Sequence, residues 1–225
     1  MLGTIVNTIA VVAGALIGFF FKKFIPERYS DTIIKAISLA VILIGFQMAL
    51  EVNNVLLLIV SLFIGSLIGE LLDIEDKLDR AGNFIEGKLS NLKGNISQGF
   101  VAATLIYCTG SMAIVGAIEG GLLNKHDILF AKSFLDGIMS IALAASLGIG
   151  VLFSSISVFV YQGTIVMIAG LAKNVLTDAV VNEMSAIGGL LILAIGLNFL
   201  IKERIRIGNM LPSIFIPIIY FLIIK

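Results

Sequence analysis

The chain is poor in the residues that build disulfides, metal centres and charged binding surfaces. It has one cysteine, one histidine, no tryptophan and three prolines, and its 15 basic residues balance its 15 acidic ones. One cysteine cannot form an intrachain disulfide, and one cysteine with one histidine argues against a zinc or haem site. Zero net charge leaves no basic surface for nucleic acid. We therefore expect no metal, no cofactor and no nucleic-acid partner.

Motifs of enzymatic chemistry are also missing. The sequence has no Walker lysine loop, no HExxH motif and no Ser-His-Asp set, and His126 falls in a predicted loop. An intramembrane protease or a metal-dependent transferase would need residues that this chain lacks. The sequence therefore predicts a protein that is not an enzyme and has no ATP-driven motor.

Apolar residues dominate what is present. They make up 59% of the 225 residues, charged residues make up 13%, and the mean hydropathy is +1.10. A bilayer core of about 30 Å requires roughly 20 apolar residues in a helix, and helices are the structures that such runs adopt in lipid. We predict an all-α, single transmembrane domain over residues 1–225. Its eight candidate spans are Gly3–Phe21, Ile33–Leu50, Val55–Leu72, Phe100–Leu123, Ile128–Phe153, Ser157–Ala172, Met184–Ile201 and Leu211–Ile224.

Basic residues indicate the orientation of these spans. Lysine and arginine concentrate in residues 22–35, 77–93 and 202–206, whereas the intervening stretches carry only Lys125, Lys132 and Lys173. Loops rich in positive charge remain in the cytoplasm, so both termini are predicted outside it. The polar stretch at 73–97 has apolar residues at roughly helical spacing, which predicts a cytoplasmic amphipathic linker on the membrane surface. The alternative is a regulatory or partner-binding element.

Two segments resemble each other and suggest an internal repeat. Leu39–Glu51 reads LAVILIGFQMALE and Leu190–Lys202 reads LLILAIGLNFLIK, which aligns Gly45 with Gly196 and Gln47 with Asn198. Earlier in each half, Asn7 and Gln162 each precede an Ala-Gly pair. Spans one to three would then match spans six to eight in opposite orientation, an inverted repeat of the kind found in many secondary transporters. The alternative is the shared Leu/Ile/Gly composition of membrane helices.

Polar residues inside the predicted spans mark a candidate site. Thr109, Gly110 and Ser111 could unwind span four locally and free backbone groups for an ion or solute. Close helix packing through small residues is the alternative. Asp136 shares a helical stripe with Lys132 and Ser140, and Glu119 is the other acid near the membrane interior. An acid in that position indicates function, whereas a hydrated structural carboxylate is the alternative.

The four amides Asn7, Gln47, Gln162 and Asn198 are predicted to be buried, and buried amides suit two roles inside a membrane protein. One is interhelical hydrogen bonding, worth about 0.6–2 kcal/mol for each bond, and the other is recognition of a solute. Structural bonding is the simpler interpretation of any one amide. Their pairing across the repeat favours a role of the set in recognition.

Six segments of the sequence are distinctive. They are GTIVNTIAVVAGALIG (Gly3–Gly18), YCTGSMAIVGAIEGG (Tyr107–Gly121), KSFLDGIMSIALAASLGIGVLFSS (Lys132–Ser155), VYQG (Val160–Gly163), EMSAIGGLLILAIGLN (Glu183–Asn198) and IRIGNMLP (Ile205–Pro212). Through these segments, and over essentially its whole length, the chain resembles a family of bacterial integral-membrane proteins known as domain of unknown function 554, also called YqgA/YdfK-like. This resemblance implies a protein of the bacterial cytoplasmic (inner) membrane.

The sequence favours a secondary transporter or channel-like permease for a small solute or ion, with Asp136 or Glu119 as the coupling residue. One rival is a membrane regulatory or assembly partner that acts through Asp73–Asn95. The other is a lipid-modifying enzyme, for which nucleophile and metal ligands are missing. The expected partners are membrane lipids and the solute, and a homo-oligomer is compatible with the sequence. The candidate binding residues are Asn7, Thr109, Gly110, Ser111, Glu119, Asp136, Ser140 and Gln162, with Gln47 and Asn198 as the repeat-paired amides.

Single-cysteine labelling tests the topology in a Cys108→Ser background. Lys88→Cys should react with a membrane-impermeant reagent only from the cytoplasmic side, and Lys125→Cys and Lys173→Cys only from the outside. The reason is the concentration of basic residues in alternate loops. A C-terminal reporter enzyme that is active in the cytoplasm would contradict this eight-span arrangement.

Overall fold

Long apolar runs fold into helices in this protein, and turns fall where glycine, proline or polar residues interrupt them. The structure is a computed structural model that describes residues 1–22, 27–80, 96–108, 111–201 and 203–223; these residues contain no β-strand. The helices are α1 (Leu2–Lys22), α2 (Glu27–Ala49), α3 (Val55–Leu71), α4 (Ile74–Arg80), α5 (Ile96–Cys108), α6 (Ser111–Leu122), α7 (Asp127–Leu147), α8 (Gly150–Met167), α9 (Ala169–Val175), α10 (Asp178–Asn198), α11 (Ile207–Met210), a 3₁₀ helix (Leu211–Phe215) and α12 (Ile216–Ile223).

The all-α transmembrane architecture predicted from the sequence is confirmed. Four helices, α1, α7, α8 and α10, are long and apolar enough to cross a membrane by themselves. The number rises to six if each of two bent pairs, α3 with α4 and α5 with α6, counts as one span. The apolar part of α2 and the α11–α12 segment are shorter. The number of eight crossings therefore stays a prediction.

Several helix boundaries differ from the predicted ones. The predicted fifth span runs to Phe153, but α7 ends at Leu147 because Gly148 adopts a φ of 82°, a left-handed conformation that favours glycine. The next helix then begins at Gly150, seven positions before the predicted sixth span. In the last span, Pro212 lies at the start of the 3₁₀ helix, where its missing N–H costs no intrahelical hydrogen bond.

Close backbone contacts at glycines hold the bundle together. A Cβ atom at Gly14 or Gly18 of α1 would overlap the carbonyl oxygens of Gly137 and Ile141 of α7. Residue numbers rise together along both helices at these contacts, so α1 and α7 are parallel. Helices approach this closely only where one of them has no side chain, and such contacts drive helix association in lipid.

A second close pair forms between α2 and α10. Gly45 approaches Gly189 and Leu193, and Gly196 approaches Ser38 and Ile42. These helices are antiparallel, because residue numbers rise along one as they fall along the other. The contacts are also reciprocal. The alignment that equates Gly45 with Gly196 also equates Ser38 with Gly189, and Ile42 with Leu193.

The helix α10 is the centre of the bundle. Of the residues in its membrane-length stretch, 78% are buried, compared with 33% in α1. The outer faces of the other helices expose large apolar residues, such as Phe63 and Leu71 on α3 and Phe134 on α7. An apolar exterior around a partly polar interior suits a lipid environment. The interior polar residues therefore lie where neighbouring helices, and not lipid, can satisfy them.

The α1–α7 contact makes a testable prediction about stability. Gly14→Leu should lower the thermal unfolding midpoint or abolish the folded protein, because the new side chain has to displace the backbone of α7. Overpacking typically costs about 1–3 kcal/mol and more against rigid backbone. Ala13→Leu is the matched control, since Ala13 is exposed on the neighbouring face of the same helix. Circular dichroism of the detergent-purified variants measures both midpoints, and equal midpoints would contradict the packing.

Candidate functional site

A charged pair lies inside the bundle on one face of α7. Lys132 donates a hydrogen bond from Nζ to Asp136 Oδ1 at 2.9 Å, and both residues are only 5% exposed. Asn7 of α1 donates from Nδ2 to the other carboxylate oxygen, Oδ2, at 3.0 Å. The i, i+4 spacing brings the lysine to the aspartate, and the α1–α7 packing brings the amide. We call Asn7, Lys132 and Asp136 the ion-pair cluster.

Burial makes the ion-pair cluster costly to form and costly to break. Removing charges from water costs several kcal/mol for each ion, which mutual attraction and additional hydrogen bonds offset when the geometry is good. Both oxygens of Asp136 have partners here, so the carboxylate is fully paired. The Oδ1 atom of Asn7 is different, because it is buried and has no hydrogen-bond partner.

The polar stripe on α7 continues toward the bend between α5 and α6. Ser140 lies one turn beyond Asp136, and its Oγ shares a hydrogen bond of 2.7 Å with the hydroxyl of Tyr107. Both residues are fully buried. Tyr107 is the penultimate residue of α5, and the axes of α5 and α6 are bent by 59° between Cys108 and Ser111. The sequence predicts an interruption at this place. The candidate residues Thr109 and Gly110, and the side chain of Ser111, lie outside the described residues.

A groove of about 590 Å³ borders the ion-pair cluster. Its polar lining consists of Lys132 and Asp136 of α7, Ser185 of α10 and the exposed Glu51 that follows α2. The remaining lining is apolar and comes from α2, α5, α6 and α7. These apolar residues are Ile44, Met48, Ile106, Met112, Leu135, Ile138, Met139 and Ala142. The two charges of the cluster therefore face a space large enough for a small molecule.

The other predicted site residues lie apart from this cluster. Glu119 is half-buried on α6, and no hydrogen bond among the described residues joins it to the cluster. Gln162 is fully buried on α8, where neither of its amide atoms has a hydrogen-bond partner. The structure thus brings together Asn7, Asp136 and Ser140 of the predicted set.

The repeat-paired amides have different surroundings from those predicted. Gln47 lies on the exposed face of α2, so its description as a buried amide is wrong. Asn198 is half-buried at the end of α10, where its side chain holds the following loop through both the N–H and the carbonyl of Ile205, at 2.8 and 2.9 Å. That is a local capping role. Neither amide therefore has a hydrogen bond to the ion-pair cluster among the described residues, and their equivalence across the repeat stays a prediction.

Glu183 is a buried acid that sequence reasoning missed. It is 1% exposed on α10, and its Oε1 accepts the backbone N–H groups of Asn53 (3.1 Å) and Asn54 (2.8 Å) in the turn before α3. Asn54 in turn caps α3 by accepting the N–H of Leu57. Glu183 immediately precedes the predicted seventh span, Met184–Ile201, so the predicted boundaries leave it outside the apolar run. The sequence feature that could have indicated its burial is an acidic residue one position before a long apolar run.

A charged cluster closes the opposite end of the bundle. Glu75 of α4 is 6% exposed and accepts hydrogen bonds from Arg204 (2.8 Å) and from the backbone N–H of Gly208 (2.5 Å). Arg206 pairs with Glu70 at 2.7 Å and with Asp76 at 2.9 Å. These bonds hold α4, the described start of the predicted amphipathic linker, against the protein. Residues 81–95 of that linker lie outside the described residues.

Cavities at the two ends of α10 differ greatly in size. Ser185, in the first half of α10, lines the 590 Å³ groove, whereas Asn198, its last residue, lines a cavity of about 20 Å³ with Glu75 and Arg204. A helix rises 1.5 Å per residue, so these two positions are about 20 Å apart. Within the described residues, the cavity beside the ion-pair cluster is therefore much larger than the cavity beside the charged cluster. Within the described residues, no three His, Cys, Asp or Glu side chains could hold a metal ion.

Comparison with known proteins places the chain in a family. Residues 2–222 match the model of the family described as "Protein of unknown function (DUF554)". The "Uncharacterized membrane protein YdfK" of Bacillus subtilis (strain 168) is 34% identical over 228 residues, which cover 100% of this chain and 97% of the relative. The "Uncharacterized protein YqgA" of Escherichia coli (strain K12) is 30% identical over 219 residues, 95% of this chain and 93% of the relative. No solved structure matches the chain. The chain is a membrane protein that belongs to the DUF554 family.

Proposed function

We propose that the protein is a secondary transporter or channel-like permease that moves a small solute or ion across the bacterial cytoplasmic membrane. The observation that carries this proposal is the ion-pair cluster beside an open groove. Charges on a membrane helix are expensive, and they persist mainly where they serve a pathway or pair with one another. Here a paired lysine and aspartate line a cavity, which is the arrangement expected of a solute site.

The helix arrangement supports transport in two further ways. The bend between α5 and α6 lies next to Tyr107, so the polar stripe of α7 ends at an interrupted span, as binding sites of transporters often do. The reciprocal contacts between α2 and α10 are those that a two-fold axis through their crossing would produce. They support the hypothesis of an inverted repeat, in which α2 and α10 are equivalent helices of the two halves.

The unequal ends of the bundle support a gated pathway. The large groove lies beside Lys132 and Asp136, while Glu75 and Arg204 line a cavity of only about 20 Å³ at the other end of α10. With the orientation predicted from the basic residues, the larger cavity lies toward the outside and the smaller one toward the cytoplasm. A larger cavity on the outer side is expected of a transporter in its outward-facing conformation, before it changes to the inward-facing one.

The ion pair first makes a prediction about stability. Lys132→Met and Asp136→Asn should each destabilise the protein by about 3 kcal/mol or more, because each leaves one buried charge without its partner. The double variant Lys132→Met/Asp136→Asn should recover most of that loss, since no charge remains to be paired. Thermal unfolding in detergent of the wild-type protein, the two single variants and the double variant gives this double-mutant cycle. A double variant as unstable as the two single effects added together would contradict a coupled pair.

The same double variant tests the proposed function without a folding defect. Purified protein in liposomes is screened for uptake of labelled amino acids, organic anions and cations, and for proton flux with an internal pH dye. We expect wild-type protein to transport at least one probe, and the double variant to lose about ten-fold or more, equivalent to about 1.4 kcal/mol. Asp127→Asn is the matched control because Asp127 is exposed on the same helix. No flux with any probe, or full flux in the double variant, would contradict the proposal.

A further inference from the structure

We infer that the groove binds a small zwitterion with an apolar side group, whose carboxylate pairs with Lys132 and whose ammonium group pairs with Asp136. This inference names the substrate class of the proposed transporter and rests on that function for its biological meaning. Its structural basis is the chemistry of the groove itself, which combines one buried cation, one buried anion and a long apolar wall, with Ser185 and the exposed Glu51 as the other polar residues of the lining.

The two charges favour a ligand that also carries two. Lys132 and Asp136 are each 5% exposed, so a ligand with a single charge would engage one of them and leave the other buried without a partner. That arrangement is strongly unfavourable. A zwitterion supplies a partner for both. The net charge of Lys132 and Asp136 is zero, and a zwitterion adds none. No net charge is therefore buried, either when Lys132 pairs with Asp136 or when both pair with the ligand.

The hydrogen-bonding groups near Asp136 fit an ammonium group. Ammonium has three donors, and the carboxylate of Asp136 supplies one strong acceptor site. Asn7 does not line the groove, but its Nδ2 is bound to Asp136 Oδ2 and holds the carboxylate in place. Its buried Oδ1 has no hydrogen-bond partner, which is costly, so an additional donor that reached this atom would be stabilised.

The walls of the groove fit an apolar body. Three of the seven methionines in the chain, Met48, Met112 and Met139, line it. Methionine is flexible and polarizable, so it adapts to side groups of different shape. A hard inorganic cation would instead need a shell of roughly six oxygen ligands, whereas the side chains that line the groove supply only the carboxylates of Asp136 and Glu51 and the hydroxyl of Ser185. The volume of about 590 Å³ is within the range of small-molecule sites.

A matched set of three ligands tests the inference on the purified full-length protein. L-leucine carries both charges, 3-methylbutylamine lacks its carboxylate, and 4-methylpentanoate lacks its ammonium group. We expect wild-type protein to bind leucine about ten-fold more tightly than either analogue, measured by calorimetry or by the ligand-induced rise in unfolding temperature. Lys132→Met should instead prefer the amine, and Asp136→Asn should prefer the carboxylate. Asp127→Asn should keep the wild-type order.

The design separates this inference from the proposed function. Preference is compared within each variant, so lowered stability does not alter it. If a single variant does not fold, the Lys132→Met/Asp136→Asn double variant must lose the preference for leucine.

Leucine binding in the expected order without any flux would support the substrate class and contradict transport. Flux of another solute that depends on Asp136, with no leucine binding, would overturn the substrate class and leave transport standing. Tight binding of Ag⁺ that Met48→Leu abolishes would indicate a thioether metal site and would also overturn it.

Discussion

Helices in lipid gain little by burying apolar side chains against one another, because lipid tails are equally apolar. Their association depends on close packing and on polar contacts between them. In this protein the backbone of α1 rests on that of α7 at Gly14 and Gly18. The contact sets the register of the two helices, and that register places Asn7 against Asp136. The site therefore depends on a packing contact between glycine and backbone that lies two turns away from it.

Polar groups in the bundle fall into two kinds with different physical roles. Glu183, Asn54 and Asn198 satisfy backbone groups at helix ends, where the chain turns and N–H or carbonyl groups lose their helical partners. Lys132 and Asp136 satisfy each other in the middle of a continuous helix, where no backbone group needs them. Polar residues that no structural requirement explains are the stronger candidates for function. This distinction separates the ion-pair cluster from Glu183, Asn54 and Asn198.

Sequence reasoning was most successful where the pattern was local. The stripe of Lys132, Asp136 and Ser140 follows from helical spacing alone, and the bend after Cys108 follows from hydroxyl and glycine residues within an apolar run. It failed where tertiary packing decided the outcome. Gln47 faces outward because Gly45, two positions earlier, takes the inner face of α2 against α10. The partner of Asn7 could not be predicted because it depends on the register between two helices more than a hundred residues apart.

The charged cluster shows the same limitation. Its acids in α3 and α4 and its arginines before α11 are separated by most of the chain, and each group alone resembles an ordinary solvated loop. Only the packing of α3 against the segment that follows Arg206, through Gly65 on Ser213 and Gly69 on Asn209, brings them together. The same packing draws α4 onto the protein, although its amphipathic pattern suggested a membrane surface.

Both charges of the ion pair lie on one helix, and this affects how the chain is inserted into the membrane. Membrane helices enter the bilayer one or a few at a time, before distant partners are available. A lone lysine or aspartate at the centre of a helix raises the cost of insertion by about 2.5–3.5 kcal/mol. Because Lys132 and Asp136 are one turn apart, they can neutralise each other as soon as α7 is helical. The helix can therefore carry both charges into the membrane during biosynthesis before it packs against α1.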